Sequence, residues 1–347
     1  MGPRPSPPLD HLAALTDDVG IIQHAIHDVP NRSSGYCTDD VARGFLVALD
    51  APGETAERLA GIYLAFLHDA QSPDGRFHNF MGYDRNWQDR AGGPDSYGRA
   101  LWAVGYGARF AQRESWRRVC WTLFERSLAH LGSVQALRPR AYAIQGLTHA
   151  YEAAGRQNDA IRGQIAHQAA ALVNAFEEQQ TEGWSWFEQT MTYDNARLPE
   201  ALLRAGGALG DGRLVELGSL TLTYYETVTI EDGIFVPIGN DGWYARGGKR
   251  ARYAQQPLEA SALVDAAIVA RDVLGDPRYE ALARIGLDWF LGGNSAGAAM
   301  VSDRGGCRDG IDAHGVNQNM GAESTLAYLA SAIALSRMST EVAPVTR

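Results

Sequence analysis

Carboxylates recur in this chain at matching points of one short phrase, and grouped carboxylates are what acid–base chemistry uses. The phrase is a turn, an acidic residue, then a run of Ala, Gly and Leu. It occurs at Thr38-Asp39-Asp40-Val41-Ala42-Arg43-Gly44, Pro94-Asp95-Ser96-Tyr97-Gly98-Arg99, Tyr193-Asp194-Asn195-Ala196-Arg197, Pro257-Leu258-Glu259-Ala260 and Gly321-Ala322-Glu323-Ser324. Counted from Asp39, the acids are 56, 99, 65 and 64 residues apart. The long step leaves room for a member without an acid, and Arg138-Pro139-Arg140-Ala141 sits there. A single acid at a helix start reads as an N-cap or as a complement to the macrodipole. Five at equivalent places predict a shared crater, where carboxylates raise one another's pKa and serve as acid and base. Asp40, Asp95, Glu259 and Glu323 are therefore candidate catalytic groups, and Glu188, in Trp184-Ser185-Trp186-Phe187-Glu188 just before Asp194, is another. Of the adjacent pair, Asp40 is expected to face inward, with Asp39 or Thr38 as the cap.

Helices must position these acids, and the sequence shows two kinds. Residues 57–70, 111–131, 158–179, 212–228 and 276–291 read as long amphipathic helices with one buried stripe. Residues 96–107 and 259–270 are small and apolar nearly all round, so they read as helices buried on every face. Alternation of the two kinds in about six pairs predicts an all-α protein, an (α/α)6 barrel with inner and outer rings. Residues 9–337 are expected to form one domain between tails at 1–8 and 338–347. Links after buried helices are short; those before them, 29–38, 72–94, 181–193, 230–256 and 292–320, are long, which is usual for functional segments. Ile234-Phe235-Val236, with turn signals at Asp232-Gly233 and Asp241-Gly242, predicts a small β-hairpin in one of them.

The long loops carry aromatic and polar residues suited to sugars. Trp87, Trp186, Trp243 and Tyr244 offer faces for pyranose rings, and Asn79, Arg90 and Gln256 offer bonds to hydroxyls. Asp39, Tyr97, Arg140 and Asp194 near helix starts, Asp241, Asp312 and His314 in loops, and His24 and His78 complete the candidate binding set. Packing of the loops against the barrel is the plain alternative for any one aromatic, and a structural role for any one histidine.

Composition excludes other classes. The chain has 347 residues and a net charge of −10, which disfavours nucleic acid as a ligand. No apolar run is long enough to span a membrane. The Pro-rich start lacks a secretory signal, so the cytoplasm is the expected location. Cys37, Cys120 and Cys307 form neither a disulfide framework nor a metal-ligand spacing, and no metal or other cofactor is called for.

Asp18-Val19-Gly20-Ile21-Ile22-Gln23-His24 and Gly35-Tyr36-Cys37-Thr38-Asp39-Asp40, with the Asp95, Asp194 and Glu323 phrases, resemble a bacterial family of helical domains found beside or fused to glycosyltransferases. That resemblance implies the barrel of the six-hairpin glycosidase superfamily, a glycan or oligosaccharide ligand and a functional link to a glycosyltransferase. It implies no reaction. The arrangement is also similar to unsaturated glucuronyl hydrolases, which by position point to Asp40 and Asp95, and to N-acylglucosamine 2-epimerases, which use paired histidines. The leading expectation is a glycoside hydrolase, inverting by analogy, with Asp95 as acid and Asp40 as base. A sugar epimerase relying on His24, His78 and His314 is one alternative. A non-catalytic glycan-binding module is the other.

Overall fold

The structure, a computed structural model, describes residues 6–341. Of the expected tails, residues 1–5 and 342–347 lie outside the described residues. Six helices form the inner ring: α2 (Thr38–Asp50), α4 (Pro94–Phe110), α6 (Leu137–Ala153), α8 (Arg197–Leu209), α10 (Pro257–Leu274) and α12 (Ala322–Glu341). Each packs on the next, and α12 returns to α2, so the ring is closed. Outside stand α3 (Glu54–Ala70), α5 (Glu114–Ser127), α7 (Asp159–Gln179), α9 (Gly212–Thr229) and α11 (Arg278–Phe290). The sixth outer place is taken by α1 (Asp10–Leu15), which packs on α12. The chain is thus the (α/α)6 barrel that its pattern predicts, with α12 running past the expected boundary at 337.

Small residues decide which helices go inside. Helices α4 and α6 approach so closely that a Cβ on Gly105 would stand 2.2 Å from the Gly146 carbonyl oxygen, and one on Gly146 2.3 Å from that of Leu101. Only glycine allows this approach. The outer helices bury one stripe: on α5, Cys120, Leu123, Phe124 and Ser127 face inward at helical spacing. Short inner-to-outer links stop cleanly, as where Gly210 and Gly275 end α8 and α10 in the left-handed region.

Long outer-to-inner links gather at the mouth formed by the inner helix N-termini, where short antiparallel ladders fasten them. Strands β1 (Ala25–Ile26) and β2 (Val29–Pro30) form a hairpin, and β3 (Tyr36–Cys37) pairs with β4 (Phe80–Met81). Strand β5 (Thr190–Met191) pairs with β8 (Tyr244–Ala245), and β9 (Gly310–Asp312) with β10 (Gly315–Asn317). The expected small hairpin is β6 (Ile230–Glu231) with β7 (Ile234–Phe235), turning through Asp232-Gly233. It does not extend to Tyr244, which joins a neighbouring loop instead.

Candidate active site

A cavity of about 610 Å³ opens at this mouth. The first turn of α2 supplies Asp39 and Asp40, and its second turn Arg43. Helix α4 supplies Asp95 and Arg99; the approach to α8, Tyr193; the start of α10, Gln256 and Leu258; and α12, Glu323 and Ser324. Loops add Gln23, His24, Phe80, Asn240, Trp243 and Asp309.

Asp40 is the most confined of these acids, at 5% exposure. Its Oδ1 accepts from Arg43 at 3.0 Å and its Oδ2 from the Cys37 thiol at 3.3 Å. Cys37 occupies the N-cap position of α2, and its sulfur accepts the Asp40 amide hydrogen at 3.4 Å. Burial, reinforced by the charges of Glu323 and Asp39 and opposed by Arg43, lifts the Asp40 pKa to about 7. The carboxyl therefore titrates near neutrality.

Its neighbours have donors or cations on hand. Asp39 accepts from the Asn79 amide at 3.2 Å and faces Arg99 at 3.4 Å. Glu323 accepts from Arg43 at 2.7 Å through Oε2, so one guanidinium bridges Asp40 on α2 and Glu323 on α12. The Glu323 side chain is 40% exposed, toward the cavity it lines. Asp95 accepts the Tyr193 hydroxyl hydrogen at 2.6 Å. Arg138 holds Tyr193 in turn, lying 4.7 Å over its ring and donating to its carbonyl. Asp309, also in the lining, accepts from the Gly321 amide and the Ser324 hydroxyl, both at 2.8 Å.

The other predicted catalytic acids do not line the cavity. Glu188 forms a two-pronged pair with Arg138, both contacts at 2.9 Å. Glu259 is buried and turned toward the chain entering α8, where it accepts from the amides of Asp194 and Asn195 and, at 3.0 Å, from Tyr225. Burial, then the charge of Asp194, raises the Glu259 pKa to about 7.

Much of the predicted binding set is also placed elsewhere. Asp194 is wholly buried with φ +48°, clamped by Arg99 at 3.1 Å, Arg197 at 3.3 Å and the Tyr142 hydroxyl at 2.6 Å. Burial alone would raise its pKa; Arg197, Arg99 and the Tyr142 bond together hold it below the ordinary carboxylate value. Trp186 is fully buried and stacks on Tyr225. Tyr97 points outward to the Ser127 carbonyl, and Arg140 donates to Gln168 of α7. His78 bonds to Asp89 and stacks on Trp87, so those two rings hold the loop after α3 together. Asn79 meets the site only through Asp39. Arg90 is exposed outside the cavity lining, and Tyr244 packs its edge on Trp184. Asp241, Asp312 and His314 line a separate groove beside the cavity. The structure thus brings together Asp39, Asp40, Asp95, Glu323, His24, Trp243 and Gln256 from the predicted set.

Sequence reasoning passed over Arg43, Arg99, Cys37, Tyr193, Phe80, Asn240, Asp309 and Ser324. For the arginines a signal was present: Arg43 follows Asp39 by four residues, Arg99 follows Asp95 by four and Arg197 follows Asp194 by three. Within α2 and α4 that spacing places an arginine one turn inside the acid, on the same helix face, whereas Asp194 stands just before α8. Among the described residues no group of His, Cys, Asp or Glu is arranged to hold a metal ion, and no helix is long and apolar enough to cross a membrane.

A closed ring of inner helices with loops and acids at its N-terminal mouth defines an (α/α)6 barrel. Solved structures share it at low identity. Cellobiose 2-epimerase from Bacillus thermoamylovorans superposes with a TM-score of 0.73 at 13% identity, covering 96% of each chain. The GH76 α-mannanase of Bacteroides thetaiotaomicron gives 0.66 at 9% identity, covering 96% of this chain and 95% of its own. An inactive variant of a GH76 α-1,6-mannanase from Salegentibacter sp., with two consecutive aspartates replaced and bound to α-1,6-mannotetrose, gives 0.63 at 11% identity, covering 95% and 96%. No family model matches the chain, and no curated protein matches it.

Proposed function

We propose that this protein is a carbohydrate-active enzyme, and specifically a glycoside hydrolase acting on a small or terminal glycan. The observation that carries the proposal is Asp40. It is a cavity-lining carboxyl that keeps its proton close to neutral pH, beside carboxylates supplied with cations or hydroxyl donors. Environments that separate the proton affinities of neighbouring carboxyls divide the roles of acid and base.

The geometry favours Asp40 as the acid, the reverse of the order expected from sequence. Its Oδ2 meets only a thiol, a weak donor that leaves this oxygen able to carry the acid's proton and give it to a glycosidic oxygen. Asp95 then serves as the base, with the Tyr193 hydroxyl fixing one of its oxygens and leaving the other for water. Arg43 ties Asp40 to Glu323, so a change of charge at either acid is felt at the other. Trp243 and Phe80 give the sugar two aromatic walls, and Gln23, Asn240 and Gln256 give it hydrogen bonds. The mannanase whose inactive variant lacks two consecutive aspartates supports the reading, because Asp39 and Asp40 are also consecutive and lie at the cavity.

An epimerase needs two bases facing one carbon. Of the three candidate histidines, His24 alone lines the cavity, while His78 faces Asp89 and His314 lies in the groove. This weighs against that alternative. The resemblance to glycosyltransferase-associated domains supports a working place in glycan metabolism.

The test is turnover of a panel of aryl-glycosides and neutral oligosaccharides by the wild type, Asp40→Asn and Asp95→Asn. Hydrolysis by the wild type, reduced about 10²–10⁴-fold in each variant, is the expected result. The anomer released first, read by proton NMR, distinguishes inversion from retention. Glycan binding without turnover by the wild type would move the protein to the binding-module class, and an epimerised product would move it to the epimerases.

A further inference from the structure

The groove beside the cavity has a composition that the proposed hydrolysis does not by itself require. It encloses about 440 Å³ and is lined by Asp241, Tyr253, Asp312, His314 and Asn317, with Ala254 and Val316 among its smaller side chains. Tyr253 is 46% exposed, high for an aromatic residue in a structured loop. Exposed aromatics need no explanation singly, but this one stands in a concavity ringed by groups that can bond hydroxyls.

The groove and the cavity share walls. Asn240 lines the cavity and Asp241 the groove; Gln256 lines the cavity and Ala254 the groove; Asp309 lines the cavity and Asp312 the groove. Three chain segments therefore form one ridge, each presenting one residue to each side. A chain advances only about 3.3–3.6 Å per extended residue, so the two spaces are next to each other.

The ridge is built rigidly. Gln255 and Ile311 exchange both backbone hydrogen bonds at 3.0 Å, joining the segment before α10 to β9. The buried Gln255 side chain is anchored by Ser295 at 2.8 Å and Trp289 at 3.2 Å. Gly239 lets the two segments close, since a Cβ there would stand 1.8 Å from the Tyr253 carbonyl oxygen. Ala254 and Trp243 sit in the left-handed region at φ +45° and +56°, which non-glycine residues adopt only when their surroundings impose it. The backbone that carries the aromatic residue is thus fixed before any ligand arrives, which reduces the entropic cost of binding.

We propose that this groove is a distal sugar-binding subsite, so that the ligand is a linear, uncharged oligosaccharide running from the cavity over the Asn240–Asp241 ridge onto Tyr253. The inference rests on the hydrolase reading for what happens in the cavity, but not for binding in the groove. A pyranose stacks its apolar face on the Tyr253 ring. Asp241, Asp312, His314 and Asn317 bond its hydroxyls. The exposed carboxylates of Asp241 and Asp312 repel uronates and other acidic glycans.

Isothermal titration calorimetry on the full chain tests this with gluco-, manno- and xylo-oligosaccharides of one to six sugars and with oligogalacturonates. In the neutral series that binds, the dissociation constant should fall at least tenfold between the shortest and longest members. Tyr253→Ala and Asn317→Ala should each cut that gain to under threefold, while Leu220→Ala, on the exposed face of α9, keeps it. Oligogalacturonates should bind at least tenfold more weakly than neutral chains of equal length. A gain with length that survives Tyr253→Ala, or no gain with length in any neutral series, overturns the subsite. The two proposals fail separately. Tyr253-dependent binding without turnover removes the hydrolase and leaves the groove. Turnover with no Tyr253-dependent gain does the reverse.

Discussion

Asp40→Asn should change the pH dependence of stability by a definite amount. The Asp40 carboxyl has an ordinary pKa of 3.8 when exposed and about 7 in the fold, chiefly because it is buried. Each unit of difference is worth about 1.36 kcal/mol, so the ionised form is disfavoured in the fold by roughly 4 kcal/mol relative to the unfolded chain. A carboxyl that holds its proton more tightly in the fold lends stability that is fully present below about 3.8. That stability is lost as pH rises through about 7. Asparagine resembles the protonated acid, can still accept from Arg43, and never ionises. The variant and the wild type should therefore respond alike to pH only below about 3.8. The variant should gain on the wild type from about pH 4 to about pH 7 and then level off, by about 4 kcal/mol in all. At roughly 2.1 cal/mol/K of unfolding entropy per residue, that is a relative shift in Tm of about 5 °C. Differential scanning calorimetry of both proteins at constant ionic strength, from pH 4 to pH 8, reads it directly. The difference between the two proteins matters, because Glu259 titrates in the same range and contributes equally to both. A Tm difference that stays flat across this range would refute the claim that Asp40 holds a proton near neutrality, and with it the assignment of Asp40 as the acid.

Three other perturbations separate architecture from chemistry. Arg43→Met leaves Asp40 and Glu323 facing each other without their shared cation; removal of one partner of a buried pair costs about 3–5 kcal/mol, measurable as a fall in Tm. Gly146→Ala places a methyl group against the Leu101 carbonyl and should cost about 1–3 kcal/mol or more, with the glycan affinity of the surviving folded protein retained in titration calorimetry. Tyr193→Phe keeps the ring under Arg138 and removes only the hydroxyl that bonds Asp95, so kcat on a hydrolysed aryl-glycoside should fall about tenfold while Tm moves by no more than about 2 °C.

The barrel was legible because its two kinds of helix differ in composition. Small residues at Gly98, Gly105 and Gly146 mark helices that touch others on every side, while the stripe of α5 marks one that meets water. Helix α1 escaped because six residues are too few to show a period. The site was legible only in part. An acid at the start of an inner helix can turn into the cavity or toward the adjacent chain, and the sequence around it reads the same in both cases. Glu259 turns aside because the amides of Asp194 and Asn195, 65 and 64 residues earlier, need an acceptor. Asp194 is drawn inside because arginines from α4 and α8 converge on it. Those choices are made between helices, and no local pattern records them.

The arginines explain why the ring of acids is divided at all. Arg43 and Arg99 line the mouth cavity and also a space of about 180 Å³ deeper in the barrel, so the floor between the two is ionic. Arg197 lies below that floor and binds Asp194, Glu200 and Asp265. An acid that reaches these cations from the side, as Asp194 does, becomes part of the floor, and its oxygens are committed to holding the helices together. An acid that reaches them from above keeps contact with the cavity: Asp39 through Arg99, Asp40 and Glu323 through Arg43. Asp95 is held by a neutral hydroxyl instead of one of these arginines. Buried ion pairs add little net stability for their desolvation cost, but they fix geometry. In this barrel they fix which carboxylates stay available for a ligand, and that selection follows from arginines placed one turn beyond the acids in the chain.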